Sequence, residues 1–138
     1  MSYFLNKLLV ENIDDNHDKL IESFKYFSER IKDNIIVPNS FTTDYASVPK
    51  LPLIFLMFGD TAKKAAVIHD YLYQTHMLND RKISDEVFLE AMLQCGVPAA
   101  KAYPMYWGVR IFGWYIWRKY KDRKECFGNE CLIKKKEV

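Results

Sequence analysis

The sequence has no long hydrophobic run. A membrane-spanning helix needs about 18 or more consecutive apolar residues, and the longest apolar run here covers only residues 51–58. The segment that begins Met1-Ser2-Tyr3 also lacks the basic stretch, long apolar stretch and small-residue cleavage site of an export signal. These features argue against an integral membrane protein and predict synthesis in the cytoplasm without Sec-type export.

Cysteine is scarce. The three cysteines, Cys95, Cys126 and Cys131, form an odd set without the Cys-x-x-Cys spacing of a zinc knuckle. We therefore expect free thiols. A pair between Cys126 and Cys131 would require an oxidising compartment, and no other feature of the sequence indicates one.

Net charge is also small, but its distribution is uneven. The formal charge is +2, whereas the end of the chain is locally basic, with Arg118, Lys119, Lys121, Arg123, Lys124, Lys134, Lys135 and Lys136. A solvated terminal segment is the ordinary interpretation of such a stretch. Contact with nucleic acid, anionic lipid or an acidic protein patch remains an alternative.

The length of 138 residues and the 49% hydrophobic content suit one domain with a single core. We expect one domain over residues 1–138, with residues 1–18 and 122–138 peripheral. The sequence shows neither an internal repeat nor a low-complexity segment.

The order of local patterns predicts an α+β fold, with a small N-terminal hairpin or sheet followed by an antiparallel helical bundle. Residues 20–31 and the β-branched run 35–38 flank a turn at Lys32-Asp33-Asn34, which indicates a hairpin. Residues 39–49 are rich in hydroxyls and turn-forming residues and are bounded by prolines, which predicts an ordered loop.

Three helical segments follow. Small and apolar residues at helical spacing predict a first helix over residues 61–75. Ser84 is a good N-cap for a second helix, which Gly96-Val97-Pro98 closes. Residues 99–120 predict a third helical region, which bends or splits if Pro104 or the glycines interrupt it.

Polar residues on the first two helices are the candidates for chemistry. His69 and Tyr73 lie one turn apart on the first helix, and Asp85 begins the apolar stripe of the second. A carboxylate that binds one imidazole nitrogen fixes the tautomer and leaves the other nitrogen free to take a proton from water. The alternatives are a structural, hydrogen-bonded His69 and an Asp85 that only favours the helix dipole.

A cation site is a second hypothesis. Asp70 and Asp44 are oxygen ligands of the kind that calcium binds, and the loop carbonyls near Thr42 and Thr43 could complete such a site. In this interpretation Thr42, Thr43 and Ser47 line the site. Asp44 could instead only cap its own loop through an Asx-turn.

Three segments carry a resemblance to a known family. The runs FTTDYASVP at 41–49, AAVIHDYLY at 65–73 and SDEVFLEAM at 84–92 resemble the phage and prophage domain-of-unknown-function family 1353. The resemblance covers about residues 37–113. It implies a phage origin and leaves the activity undefined.

The run HDYLY at 69–73 also resembles the His-Asp-x-x-Tyr helix of secretory phospholipases of the A-two type. The resemblance implies that His69 activates water, Asp70 holds calcium, Asp85 orients His69 and Tyr73 bonds to Asp85. This chain lacks the glycine-rich calcium loop and the disulfides of those enzymes. Zinc or another divalent cation held by His69, Asp70 and Asp44 is therefore an alternative to calcium.

The third helical region is rich in aromatic residues interleaved with basic ones: Tyr103, Tyr106, Trp107, Phe112, Trp114, Tyr115, Trp117 and Tyr120. Core packing is the favoured interpretation, because a small domain needs large side chains to fill its interior. The alternatives are a membrane interface and a protein partner. Specific nucleic-acid binding is not expected, since no recognition motif accompanies the aromatic residues.

Two functional hypotheses remain. The first is a phage-encoded, phospholipase-like hydrolase that cleaves an ester or amide in the host envelope, with or without assistance from a metal ion. In this hypothesis the protein is made in the host cytoplasm and delivered to the virion or envelope. The second is a non-catalytic virion component or host-modulating, anti-defence protein. In that case the His-Asp cluster holds the fold together.

Overall fold

The computed structural model describes residues 2–14, 17–43 and 62–128, with side chains described up to residue 120. Within these ranges, six short strands precede three helices, and all the strand pairs are antiparallel. The predicted α+β class is therefore confirmed. The strands are β1 (Tyr3–Phe4), β2 (Val10–Asp14), β3 (His17–Leu20), β4 (Phe24–Ser28), β5 (Asp33–Val37) and β6 (Thr42–Thr43).

The strands form two three-stranded sheets, ordered β1-β4-β5 and β2-β3-β6. The predicted hairpin is β4-β5, with Phe24 opposite Val37 and Ser28 opposite Asp33. Its turn occupies residues 29–32 rather than the predicted Lys32-Asp33-Asn34, because Lys32 takes the left-handed conformation and the chain is extended again from Asp33.

Thr42 and Thr43 were predicted in a loop, and this prediction is wrong for these two residues. They form β6 because their backbone pairs with Lys19 and Asp18 of β3. Composition alone favours a turn in this segment, but a distant strand supplies the hydrogen bonds. Residues 39–41 form no strand or helix, as predicted, and residues 44–49 of that loop lie outside the described residues.

The helices are α1 (Lys63–Thr75), α2 (Arg81–Gln94) and α3 (Ala99–Gly128). The predicted N-cap of α2, Ser84, lies inside its first turns. Asp80 caps the helix instead, because its side chain accepts a hydrogen bond from the Ile83 amide at 3.1 Å. The third helical region neither splits at Pro104 nor ends at residue 120.

One apolar core joins the β4-β5 hairpin to the helices. In β4, Phe24, Tyr26 and Ser28 are buried while Lys25 is exposed, the period-two pattern of a sheet covered on one face. The fully buried residues from the other elements are Ile35, Val37, Ala65, Ala66, Val67, Ile68, Leu72, Val87, Ala91, Met92, Ala102, Met105 and Val109. In this core α1 contacts β5 and α2 contacts β4, and α3 packs against α1 and α2.

Candidate functional site

Helices α1 and α2 position the candidate residues as an antiparallel pair. His76, at the end of α1, takes a left-handed conformation with φ of 52°, and Asp80 caps α2 four residues later. His69 then packs on Phe88, while Tyr73, further along α1, reaches Asp85 earlier in α2. Later residues of α1 thus contact earlier residues of α2, as the short connection requires.

The Asp85 carboxylate is the centre of the cluster. Its Oδ1 atom lies 2.8 Å from His69 Nε2 and accepts a 2.6 Å hydrogen bond from the Tyr73 hydroxyl. Its Oδ2 atom accepts hydrogen bonds from Arg110 at 2.9 Å and from Arg81 at 3.4 Å. Asp85 is fully buried, so the four donors replace the water that an exposed carboxylate would bind.

These contacts set the charge of the cluster. Burial raises the pKa of Asp85, but hydrogen bonds from His69, Tyr73 and Arg110 more than compensate, and its pKa lies below the ordinary 3.8. Burial, together with the charge of Asp85 and the hydrogen bond to it, raises the pKa of Tyr73 far above its ordinary value. At neutral pH the site therefore holds a carboxylate and a neutral phenol.

An ionised Asp85 also determines the tautomer of His69. A carboxylate only accepts hydrogen bonds, so Nε2 of His69 carries a proton, and in the neutral form of the ring Nδ1 carries the lone pair. Within the described part of the chain, this buried Nδ1 has no hydrogen-bond partner. The ring is packed between Tyr73 and Phe88, at centroid distances of 4.2 and 4.4 Å. A buried proton acceptor in this state calls for an explanation beyond packing.

Sequence reasoning missed the two arginines. Arg81 precedes Asp85 by one helical turn, and this i,i+4 spacing is a signal that could have identified it. Its guanidinium also donates to the carbonyl oxygens of Val109 and Arg110, each at 3.1 Å, and so ties the start of α2 to α3. Arg110 comes from a helix 25 residues away from Asp85, and no local pattern links the two.

Gly113 lets α3 approach the cluster. A Cβ atom at this position would lie 2.5 Å from the Tyr73 hydroxyl oxygen and 3.4 Å from a terminal nitrogen of Arg81. The first distance is too short for any side chain. Glycine is therefore required here so that α3 can pack against the hydroxyl that binds Asp85.

Asp70 lies next to His69 but makes different contacts. Its Oδ1 atom accepts a 3.0 Å hydrogen bond from the Gln74 amide, and the same amide reaches the Thr42 carbonyl oxygen at 3.4 Å. Asp70 is fully buried, and so is Thr43. The Gln74 side chain therefore links Asp70 to Thr42, which belongs to the segment predicted to line the site.

The predicted metal site is only partly within the described structure. Asp44 and Ser47 lie outside the described residues. Among the residues that are described, no group of three or more histidines, cysteines and acids is arranged to hold a metal ion. Asp70 is the described carboxylate of the proposed set, and its role as a metal ligand stays a prediction.

The comparisons with known proteins agree with the first resemblance. A family model described as Protein of unknown function (DUF1353) matches residues 19–109. The match begins earlier in the chain than residue 37, where the resemblance was expected to begin, and it includes the β4-β5 hairpin. The match contains His69, Tyr73 and Asp85. No curated protein and no solved structure matches the chain.

Proposed function

We propose that this chain, which belongs to the DUF1353 family, is a hydrolase that uses His69 as a general base. The observation that carries the proposal is the orientation of the ring. Nε2 is bound to a buried carboxylate at 2.8 Å, and Nδ1 has no hydrogen-bond partner among the described residues. A purely structural histidine would be expected to satisfy both nitrogens.

The proposed step begins with a water molecule hydrogen-bonded to Nδ1. As the water oxygen attacks the carbonyl carbon of an ester or amide, its proton passes to Nδ1. The ring becomes an imidazolium, and its Nε2 proton remains hydrogen-bonded to Asp85. The tetrahedral intermediate then collapses, and the imidazolium returns the proton to the leaving alcohol or amine. Asp85 supports the step because its negative charge stabilises the imidazolium.

Tyr73, Arg81 and Arg110 are positioning residues in this proposal. Tyr73 shares Oδ1 of Asp85 with His69, whereas the arginines bind Oδ2. Together they fix the plane of the carboxylate and keep it ionised. A carboxylate held in this way keeps the ring in the tautomer that leaves a lone pair on Nδ1.

For the substrate, we propose an ester or amide of the host envelope, with a phospholipid ester first, and a phage-encoded protein made in the host cytoplasm. The support is the similarity of residues 69–73 to the phospholipase helix. A divalent cation, calcium or zinc, remains a proposed partner of Asp70 and Asp44. The described residues form no such site, and the proton transfers above do not pass through a cation.

The test compares two buried histidines. His69→Asn removes the proposed base, whereas His76→Asn changes a histidine whose Nε2 atom lies 3.0 Å from the Trp117 carbonyl oxygen. Phospholipid vesicles and peptidoglycan are incubated with each protein in isotopically labelled water, and labelled acids are measured by mass spectrometry. We expect His69→Asn to lower the rate by about 10²–10⁴-fold and His76→Asn to retain it.

One observation favours the second hypothesis, a non-catalytic virion or host-modulating protein. The Asp85 cluster joins the three helices of the described ranges, because it includes Tyr73 of α1, Arg81 of α2 and Arg110 of α3. Such a cluster stabilises a fold without any chemistry. A stably folded His69→Asn protein that keeps full biological activity would overturn the hydrolase proposal in favour of this one.

A further inference from the structure

Helix α3 has two different apolar faces. One face contains Ala102, Met105 and Val109, which are fully buried against the other helices. The opposite face, here called the aromatic face, consists of Tyr103, Trp107, Ile111, Trp114 and Tyr115. Spacings of three, four and seven or eight residues place these side chains along one side of the helix.

The aromatic face is exposed. Its five side chains are between 47% and 62% exposed, and the neighbouring Phe112 is 58% exposed. The expectation that the aromatic residues of this helix fill the core is therefore wrong for these positions. Single exposed apolar residues are ordinary, but a continuous row of large ones marks an interaction surface.

The charges around this face restrict what it can bind. Residues 99–121 contain no aspartate or glutamate, whereas they include Lys101, Arg110, Arg118, Lys119 and Lys121. Arg118 lies over the Trp114 ring, 5.4 Å from its centroid, so a positive charge borders the aromatic face itself. Charge complementarity thus favours an anionic partner over a second copy of the same basic face.

We propose that the aromatic face of α3 binds to an anionic phospholipid surface, with the helix lying in the plane of the membrane interface. Tryptophan and tyrosine suit that position because each has an apolar ring and a polar atom. Basic side chains beside them bind lipid phosphates. No helix in the described ranges is long and apolar enough to cross a membrane, which fits a helix that lies on the surface.

This placement would bring the His69 cluster near the lipid. Gly113 and Arg110 contact Tyr73 and Asp85 from the inner side of the same helix. The cluster then lies about one helix diameter, roughly 10 Å, from the bound surface. Membrane binding goes beyond the proposed hydrolysis and does not require it, because the aromatic face contains none of the residues of the cluster.

Two matched isoleucines test the apolar part of the proposal. Ile111 belongs to the aromatic face and is 60% exposed, whereas Ile21 follows β3 and is 57% exposed. Each is changed to serine, and binding to phosphatidylcholine vesicles with and without phosphatidylglycerol is measured by co-sedimentation and by tryptophan fluorescence. We expect Ile111→Ser to weaken binding to the mixed vesicles by about tenfold or more. Ile21→Ser should bind as the native chain does.

A second pair of variants tests the charge and the independence from catalysis. Arg118→Gln with Lys119→Gln should lower binding to the mixed vesicles by about fivefold per charge, with little effect on the weak binding to phosphatidylcholine alone. His69→Asn should bind the mixed vesicles as tightly as the native chain. Unchanged hydrolysis by His69→Asn, together with native vesicle binding, would thus refute only the proposed function.

Several results would overturn the proposal. The first is a native chain that does not bind the mixed vesicles, and the second is equal binding by the two isoleucine variants. A native dimer that Ile111→Ser converts to a monomer would assign the aromatic face to self-association. Tight binding to RNA or DNA without binding to vesicles would assign it to nucleic acid.

Discussion

Replacing Asp85 with asparagine should cost much of the stability of this protein. The carboxylate is fully buried and accepts four hydrogen bonds, two of them from arginines. An asparagine has one oxygen, so its NH₂ group must face either the arginines or the pair of donors on the other side. In both orientations a buried donor opposes a donor, and the arginines lose their counter-charge.

The size of the loss follows from these contacts. Removing one partner of a buried ion pair costs roughly 3–5 kcal/mol. Arg81 and Arg110 are 20% and 23% exposed, so water can compensate part of their lost interaction. We therefore expect a loss of about 3 kcal/mol, the lower end of that range, against a total stability of roughly 5–15 kcal/mol for a typical domain.

Urea denaturation followed by circular dichroism measures this loss as a lower midpoint at an unchanged slope. Glu86→Gln is a matched control, because the neighbouring carboxylate pairs with Arg30 in a partly exposed ion pair, which is worth at most about 1 kcal/mol. Equal stability of the Asp85→Asn and Glu86→Gln variants would refute the reasoning. It would mean that Asp85 is neutral in the folded chain, since asparagine closely replaces a protonated carboxyl.

Three further predictions concern the same region. Gly113→Ala should lower the free energy of unfolding by about 1–3 kcal/mol in thermal denaturation, because the new methyl group overlaps the Tyr73 hydroxyl. Asp80→Ala should cost about 1 kcal/mol in urea denaturation through loss of the α2 N-cap. Lowering the pH should also destabilise the fold. The pKa of Asp85 in the folded chain lies below its ordinary 3.8, so folding stabilises the ionised carboxylate, and this stabilisation is lost as the pH falls below 3.8 towards the folded-state pKa.

Each of these predictions has its own control. Gly113→Ala should cost less in a Tyr73→Phe background, where the clashing oxygen is absent, and equal costs in the two backgrounds would contradict the steric explanation. Asp80→Asn should retain most of the cap, so a loss equal to that of Asp80→Ala would argue against capping. For the acid effect, the stability difference between native and Asp85→Asn chains should shrink as the pH is lowered. A constant difference would exclude Asp85 as its source.

The sequence by itself determined the local features of this protein. The one-turn spacing of His69 and Tyr73 puts both on one face of any helix that contains them. The β-branched run beside a turn predicts the β4-β5 hairpin, and the structure confirms it. These features depend on the conformations of residues that are close together in the sequence. The predicted positions of the hairpin turn and of the α2 N-cap were wrong by a few residues, since several nearby polar residues could fill each role.

Only the tertiary structure decided which distant groups meet. Arg110 reaches Asp85 because Gly113 lets α3 approach α1, and no pattern within α3 identifies that contact. Packing also decided which side of α3 is buried. Both sides of the helix are apolar, so the sequence favoured a core position for Trp107 and Trp114, whereas the described helices α1 and α2 pack against α3 and leave these two side chains exposed. Local periodicity fixes which residues share a face, but only contacts between elements determine what that face meets.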